Sequence, residues 1–287
     1  MTWTDRNLHR TAVFAAMDTS ADKYRLEPLT VTAELGSALA VTRPHDLSLD
    51  GILAYEMLHT AFDGDLSCLP NIREAPLFCR LPLAIQGIPV MVARVRDWRW
   101  GRALRPDDDL IDQPWWYAVS TPRLIDTVAS GTDYWNKRFD TQHVRHLDDD
   151  VKTVVIEKGT FKAYHQMLPT VTCRAVQWSV MGDREVLAQV LASVDYLSKK
   201  RSYGYGAVLR WQVEPVSQDE SLWEADGTLA RPVPLNALVA LGLTDMSHDA
   251  WHKLPGRAYI AYRAPQWLDC NQAFCLIGGR RRLGEMV

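Results

Sequence analysis

Twice along this chain the hydrophobic period changes from that of a strand to that of a helix and back, and this pattern limits the fold more than any other feature. Leu29, Val31, Ala33 and Leu35 alternate with polar residues and predict a first strand. Ser48 is placed to cap a helix whose apolar face includes Ile52, Leu53, Tyr55, Met57 and Leu58. Two extended runs follow, 77–85 and 88–96, with Gln86-Gly87 between them as a hairpin turn. The second round starts with a strand over 171–180. Asp183 then caps a helix over 184–198, marked by Val186, Leu187, Val190, Leu191, Val194 and Leu197. Ala207, Leu209, Trp211 and Val213 close the round as a strand over 207–213.

Strand–helix–strand followed by strand–helix–strand is the βαββαβ order of an α+β, ferredoxin-like or RNA-recognition (RRM) fold. That architecture hosts unrelated functions, so the chemistry must come from particular residues. The richest stretch is Lys199-Lys200-Arg201-Ser202-Tyr203-Gly204-Tyr205-Gly206, between the second helix and the last strand. Cations neutralise phosphate, tyrosines stack on bases, and glycines let backbone N–H groups approach an anion. Local chemistry leaves a second reading open: lysines favour the end of a helix and glycine ends one. If the glycines shape a loop, at least one of Gly204 and Gly206 takes positive φ or lies too close to RNA for a Cβ.

Other segments carry charge of the same sign. Arg94, Arg96, Arg99, Arg102 and Arg105 are interleaved with Trp98 and Trp100, with Asp97 the one acid among them. They suit DNA or RNA phosphates and stacked bases, or else a solvated hairpin tip paired with Asp107, Asp108 and Asp109. Lys137, Arg138, His143, Arg145 and His146 form a second cluster. Lys152 and Lys158 flank a further short strand at 153–156, and Lys162, Tyr164 and His165 follow a turn at Gly159. An exposed polar loop is the alternative for that cluster. Arg280-Arg281-Arg282 either meets phosphate or frays as part of a basic tail at 278–287.

With 32 Lys and Arg against 35 Asp and Glu, the formal net charge is −3, so any nucleic-acid site is a local patch on an otherwise acidic surface. That balance suits an assembly subunit better than a free-standing duplex binder. Cys68, Cys79, Cys173, Cys270 and Cys275 form no Cys-x-x-Cys and no disulfide framework, so buried or half-buried thiols are expected. Metal-binding His motifs and a phosphate-binding Gly-x-x-x-x-Gly-Lys loop are absent, so neither a metal, another cofactor nor ATP hydrolysis is expected. His45, His59 and His165 are candidates for RNA cleavage by residue type alone. With no long apolar run and no signal-peptide pattern, a cytoplasmic location and no membrane partner are expected.

Residues 1–24 read as a tail and 25–277 as a single domain. Within it, roughly 98–150 reads as a loop-like insertion and roughly 215–277 as a C-terminal extension ending in a strand pair near 258–263 and 273–277. Trp115 and Trp116 in the insertion argue for packing, because exposed tryptophans would be costly.

The glycine-rich loop in this position, with Ser48-Leu49-Asp50-Gly51-Ile52-Leu53-Ala54 as a first-helix start, resembles the RAMP superfamily of CRISPR proteins. Lys137-Arg138-Phe139-Asp140 and Lys158-Gly159-Thr160-Phe161-Lys162 look like the clamp of one branch. Arg231-Pro232-Val233-Pro234 and Tyr262-Arg263-Ala264-Pro265-Gln266-Trp267 look like its C-terminal signature. The set resembles the Cas-five-like (Csf-three type) subunit of type IV CRISPR effectors over roughly 28–277. The family loop opens with glycine where this chain has Ser198.

The resemblance implies a modified ferredoxin-like (RAMP) core with a clamp-like hairpin insertion and a C-terminal β extension. It implies a non-catalytic subunit that binds and caps the 5′ handle of guide RNA through Lys199, Lys200, Arg201, Tyr203, Gly204, Tyr205 and Gly206, with Lys137, Arg138, Arg145 and Lys162. Arg94, Arg96, Arg99 and Arg102 would meet DNA or RNA. The implied partners are the guide RNA, a backbone RAMP subunit, a large or small effector subunit, target double-stranded DNA and a helicase recruited to the assembled complex. A RAMP endoribonuclease that processes repeat RNA and a ferredoxin-like protein-interaction domain without nucleic acid are the alternatives.

Overall fold

The computed structural model describes residues 24–41, 47–64, 92–94, 115–137, 162–198, 200–225, 229–234, 256–263 and 271–277. Within them the protein is mixed α/β, with mostly antiparallel sheets and few helices, in keeping with an α+β fold. The main sheet contains β1 (Leu26–Leu35), β2 (Leu39–Ala40), β5 (Arg123–Lys137), β6 (Tyr164–Asp183) and β7 (Val208–Pro215). Helix α1 (Leu49–Ala61) precedes β3 (Val92–Arg94) and β4 (Trp115–Tyr117), which pair with each other. Helix α2 (Arg184–Leu191) follows β6, and β8 (Val233–Pro234), β9 (Arg257–Ala261) and β10 (Gln272–Leu276) make a separate three-stranded sheet.

Strand β1 lies between β6 and β7, and both pairings are antiparallel: Val31 faces Trp178 on one side and Val213 on the other. Period-two alternation sends Leu29, Val31 and Ala33 to the same buried face as Val176, Trp178 and Val180. The helices cover this face with Leu49, Leu53 and Leu58 from α1 and with Leu187 and Leu191 from α2. Trp178 fixes the layer, because its buried indole stacks on Trp211 and donates to the Leu47 carbonyl at 3.0 Å. Both predicted caps are in place: Ser48 Oγ accepts from Gly51 N, and Asp183 accepts from Glu185 N and Val186 N.

Two expectations need correction. The second helix ends at Leu191 and does not run to 198. Val194 and Leu197 are still buried, but the backbone there pairs with the start of β7, through Leu197 N to Gly206 O and Val208 N to Asp195 O. Segment 98–150 is not loop-like where it is described, since it supplies β4 and the long strand β5. Its apolar residues are sparse because most of β5 is exposed on both faces, which removes the alternation that marks a half-buried strand. Opposite β1, β6 pairs with β5, and the runs expected at 77–85 and 88–96 fall mostly outside the described residues. Of those runs only Val92–Arg94 is described, and it pairs with Trp115–Tyr117; the proposed turn at Gln86-Gly87 lies outside the described residues.

Trp116 is fully buried, as its apolar bulk demands, in a second core with Leu222, Leu229, Val233, Ile260 and Cys275. The expected C-terminal strand pair is present as β9 and β10. The two C-terminal signature motifs meet here: the buried Arg231 guanidinium donates to the carbonyls of Tyr117, Val119 (2.9 Å) and Tyr262. Burial pushes the pKa of Arg231 down, and the negative charge of Asp50 partly offsets this. Arg231 thus ties the second sheet to the strand that bridges both cores. Cys173 and Cys275 are buried free thiols, as expected for this pair; Cys68, Cys79 and Cys270 lie outside the described residues. Among the described residues no helix is long and apolar enough to cross a membrane.

Candidate nucleic-acid interface

Strands β1 and β2 run along one edge of β6 as a single broken strand, with β5 on the other edge: Ala175 faces Glu34 and Ile125, and Val171 faces Leu39 and Ser130. The glycine-rich loop plugs the break. Gly36 N donates to Ala207 O, Gly206 N to Ala38 O, and Ser37 Oγ to Gly204 O. Ser37 Oγ also accepts from Ala207 N at 2.9 Å. Backbone groups left unpaired by the interruption are thereby satisfied, and the loop is held as part of the sheet.

Inside the loop, Lys200 is left-handed at φ 62°, Arg201–Tyr203 makes one 3₁₀ turn, and Gly204 and Gly206 have φ of 84° and 71°. Both glycines therefore meet the positive-φ expectation. Ser198, which stands where the resembled family has glycine, also adopts positive φ (76°). Its hydroxyl accepts from Ala40 N at 3.2 Å, so the turn is made despite the Cβ.

The loop docks on a projecting ribbon. Beyond the irregularity at Thr127/Ala129, β5 and the first half of β6 form an antiparallel hairpin that is largely exposed, with Val128, Tyr134 and Met167 open to solvent. Trp135 and Lys137 share one face with Tyr164, the cross-strand partner of Lys137. On this face Trp135 Nε1 donates to the Tyr203 hydroxyl at 2.7 Å, and the Tyr164 ring centroid lies 4.4 Å from that of Trp135. The Lys200 ammonium sits 2.8 Å from the centroid of the Trp135 ring, and that of Lys137 sits 5.9 Å from Tyr164. Two residues back along the same face, Asp133 accepts from the Tyr205 hydroxyl. That bond, with a second from Tyr134 N, holds the Asp133 carboxyl below its ordinary range, and the same bond raises the Tyr205 phenol. On the opposite face Tyr134 stacks on His165, which bonds to Asn136.

Of the residues predicted for RNA, the structure gathers Lys200, Tyr203, Tyr205 and Lys137 on this one surface, with Gly204 and Gly206 shaping the loop. Arg201 turns to α1, its guanidinium 5.4 Å from the Tyr55 ring centroid. Lys162 is exposed two residues ahead of Tyr164. Arg94 lies on β3, in a separate sheet. Lys199, Arg138, Arg145, Arg96, Arg99 and Arg102 lie outside the described residues. Sequence reasoning missed Trp135 and Asp133. The signal was the Asp133, Trp135, Lys137 alternation, which identifies a face only once 123–137 is read as a strand. Of the candidate histidines, His59 is exposed at the end of α1 and stacks on Tyr55, and His45 lies outside the described residues. Among the described residues no group of three or more His, Cys, Asp and Glu side chains could hold a metal.

Residues 126–255 match the family model described as CRISPR type IV associated protein Csf3. No curated protein matches the chain. The matched stretch contains the projecting hairpin, β6, α2, the glycine-rich loop and β7. Over that stretch, in agreement with the resemblance carried by its motifs, the chain is similar to the Csf3 family of type IV CRISPR associated proteins.

Proposed function

We propose that this protein binds the 5′ handle of guide RNA and caps that end of a type IV CRISPR ribonucleoprotein. One observation carries the reading: a rigid loop bearing Lys200 and Tyr203 is clamped to an aromatic ribbon bearing Trp135, Tyr164 and Lys137. Cations beside aromatic rings at the surface, here the half-buried Trp135 and Tyr164 and the exposed Tyr203, are what single-stranded nucleic acid requires, one for phosphate and the other for bases. The strand order β7-β1-β6-β5, with antiparallel neighbours and helices after β1 and β6, supports a ferredoxin-like RAMP core. The β5–β6 ribbon corresponds to the clamp.

The protein acts as a non-catalytic, cytoplasmic component. The guide RNA supplies sequence reading by base pairing, as in other guided systems. A backbone RAMP subunit and a large or small effector subunit adjoin it, and a helicase joins the assembled complex. The segment bearing Arg94, Arg96, Arg99 and Arg102 faces target duplex or RNA held by a partner.

The test is RNA affinity measured across a salt series. Lys137→Ala/Lys200→Ala should weaken binding and lower the log–log salt slope by about 1.4, since each phosphate contact on a single strand contributes about 0.7. An unchanged slope in a folded double variant would remove these residues from the interface. A single-turnover assay on labelled repeat RNA tests the non-catalytic role: no product is expected, and cleavage abolished by one histidine substitution would replace capping by processing.

A further inference from the structure

Consecutive loop residues reach two different elements: Lys200 turns to Trp135 on the ribbon, and Arg201 turns to Tyr55 on α1. Beneath Arg201 lies an open cavity of about 260 Å³ between α1, the segment after α2 and the loop. One water takes about 30 Å³ of liquid, so this space suits a heterocycle better than a lone solvent site. Its walls are chemically divided. Ile52, Val194 and Leu197 supply apolar surface, Tyr55 supplies a ring 40% exposed, and Arg201 supplies a planar cation above that ring. Glu56 also lines the cavity, half-buried, with its Oε2 3.4 Å from the Ser193 hydroxyl, which donates to Val190 O at 2.7 Å. An ionised carboxylate accepts about four hydrogen bonds, so this contact leaves acceptor capacity on both oxygens.

We propose that this cavity takes one unstacked guanine base of the RNA that the loop holds; the proposal rests on the RNA-binding reading above. Splayed bases in single-stranded RNA are commonly held between an aromatic ring or an Arg plane and read on their hydrogen-bonding edges. The carboxylate decides which base. Guanine offers two adjacent donors, N1–H and the exocyclic N2 amine, to two carboxylate oxygens. Adenine and cytosine offer one amine beside a ring acceptor, and uracil offers one N–H between two carbonyls; each sets an acceptor against the carboxylate. The Tyr55–Arg201 pair forms one wall against which the base lies, and Glu56 selects its edge.

The experiment uses the full chain and fluorescently labelled octauridine in which one guanosine is moved through every position. The same position is then filled with inosine, adenosine or cytidine. At the best position guanosine should bind about tenfold tighter than uridine, as one bidentate base contact allows. Inosine, lacking the N2 amine, should lose much of that gain, and adenosine and cytidine all of it. Glu56→Gln should reduce the guanosine preference to twofold or less while binding octauridine at least as well as the parent. Tyr55→Leu should lose the preference with little change in salt slope. Because the base series is read on the parent protein, the test does not depend on how either variant folds. Octauridine bound without base preference, or a preference that inosine matches and Glu56→Gln retains, overturns the cavity assignment and leaves RNA binding standing. If the parent binds none of these RNAs, the RNA-binding reading fails, and this inference fails with it.

Discussion

Gly204 and Gly206 share a backbone hand, yet they are needed for different reasons. A Cβ on Gly204 would meet nothing within 4 Å, so alanine there costs only the left-handed conformation, about 1 kcal/mol. A Cβ on Gly206 would overlap the Leu197 carbonyl, which accepts no displacement because Leu197 N is bonded to Gly206 O. Gly206→Ala should therefore cost about 3–5 kcal/mol in urea unfolding and disturb the loop, whereas Gly204→Ala leaves RNA affinity within about twofold. Equal effects of the two substitutions would contradict this division. The need for glycine somewhere in this loop was legible in the sequence. Which glycine is indispensable was not, because the obstructing carbonyl belongs to a residue that the helical pattern had placed inside α2.

The loop and the ribbon form a latch whose fastening is polar and exposed, and which therefore responds to pH. The Asp133 pKa is depressed by the Tyr205 hydrogen bond, so its contribution is present above the unfolded carboxylate pKa and lost as pH falls through the folded value. Tyr205 is shifted upward by the same bond, so its contribution is present below the unfolded phenol pKa and lost as pH rises through the folded value. The latch should be tightest between about pH 4 and pH 10. Amide exchange over 200–206, corrected for intrinsic rates, should quicken at both ends of that window in the parent and lose this dependence in Tyr205→Phe. A pH-independent corrected rate in the parent would show that the bond does not hold the loop. At this scale the sequence was readable where one face of an element is buried, as in β1, α1 and β6. It was opaque where a strand stands in solvent, as β5 does, because the hydrophobic period that announces a strand is produced by burial. Trp135 consequently passed as part of a loop, and the surface it organises could not be assembled from spacing alone.

Two cores meet at one strand end, with Trp116 in the second and Tyr117 and Val119 in the first, and Arg231 bonds across the seam. Replacing Arg231 by Met removes donors from three carbonyls and should cost about 2–4 kcal/mol. Cys173 and Cys275 report on the two cores separately. Burial pushes their thiols up to about 11 and about 12, so neither is reactive near neutral pH until its core opens. In Arg231→Met, alkylation of Cys275 followed by peptide mass spectrometry should speed at least tenfold, with Cys173 changed less; equal acceleration would make the molecule one cooperative unit. The broken strand also sets the order of assembly. Strand β1 is the first described strand in the chain, yet its partners are residues 175–183 and 208–215, so a nascent chain must carry it unpaired past some 140 residues of later sequence. Pairings so distant form late and slowly. The loop at 200–206 lies between those partners and bonds to Gly36, Ser37 and Ala38, so its shape is completed in the same event that closes the sheet. A half-made chain therefore has no finished loop, and the surface that the loop builds with the ribbon exists only once the sheet has closed.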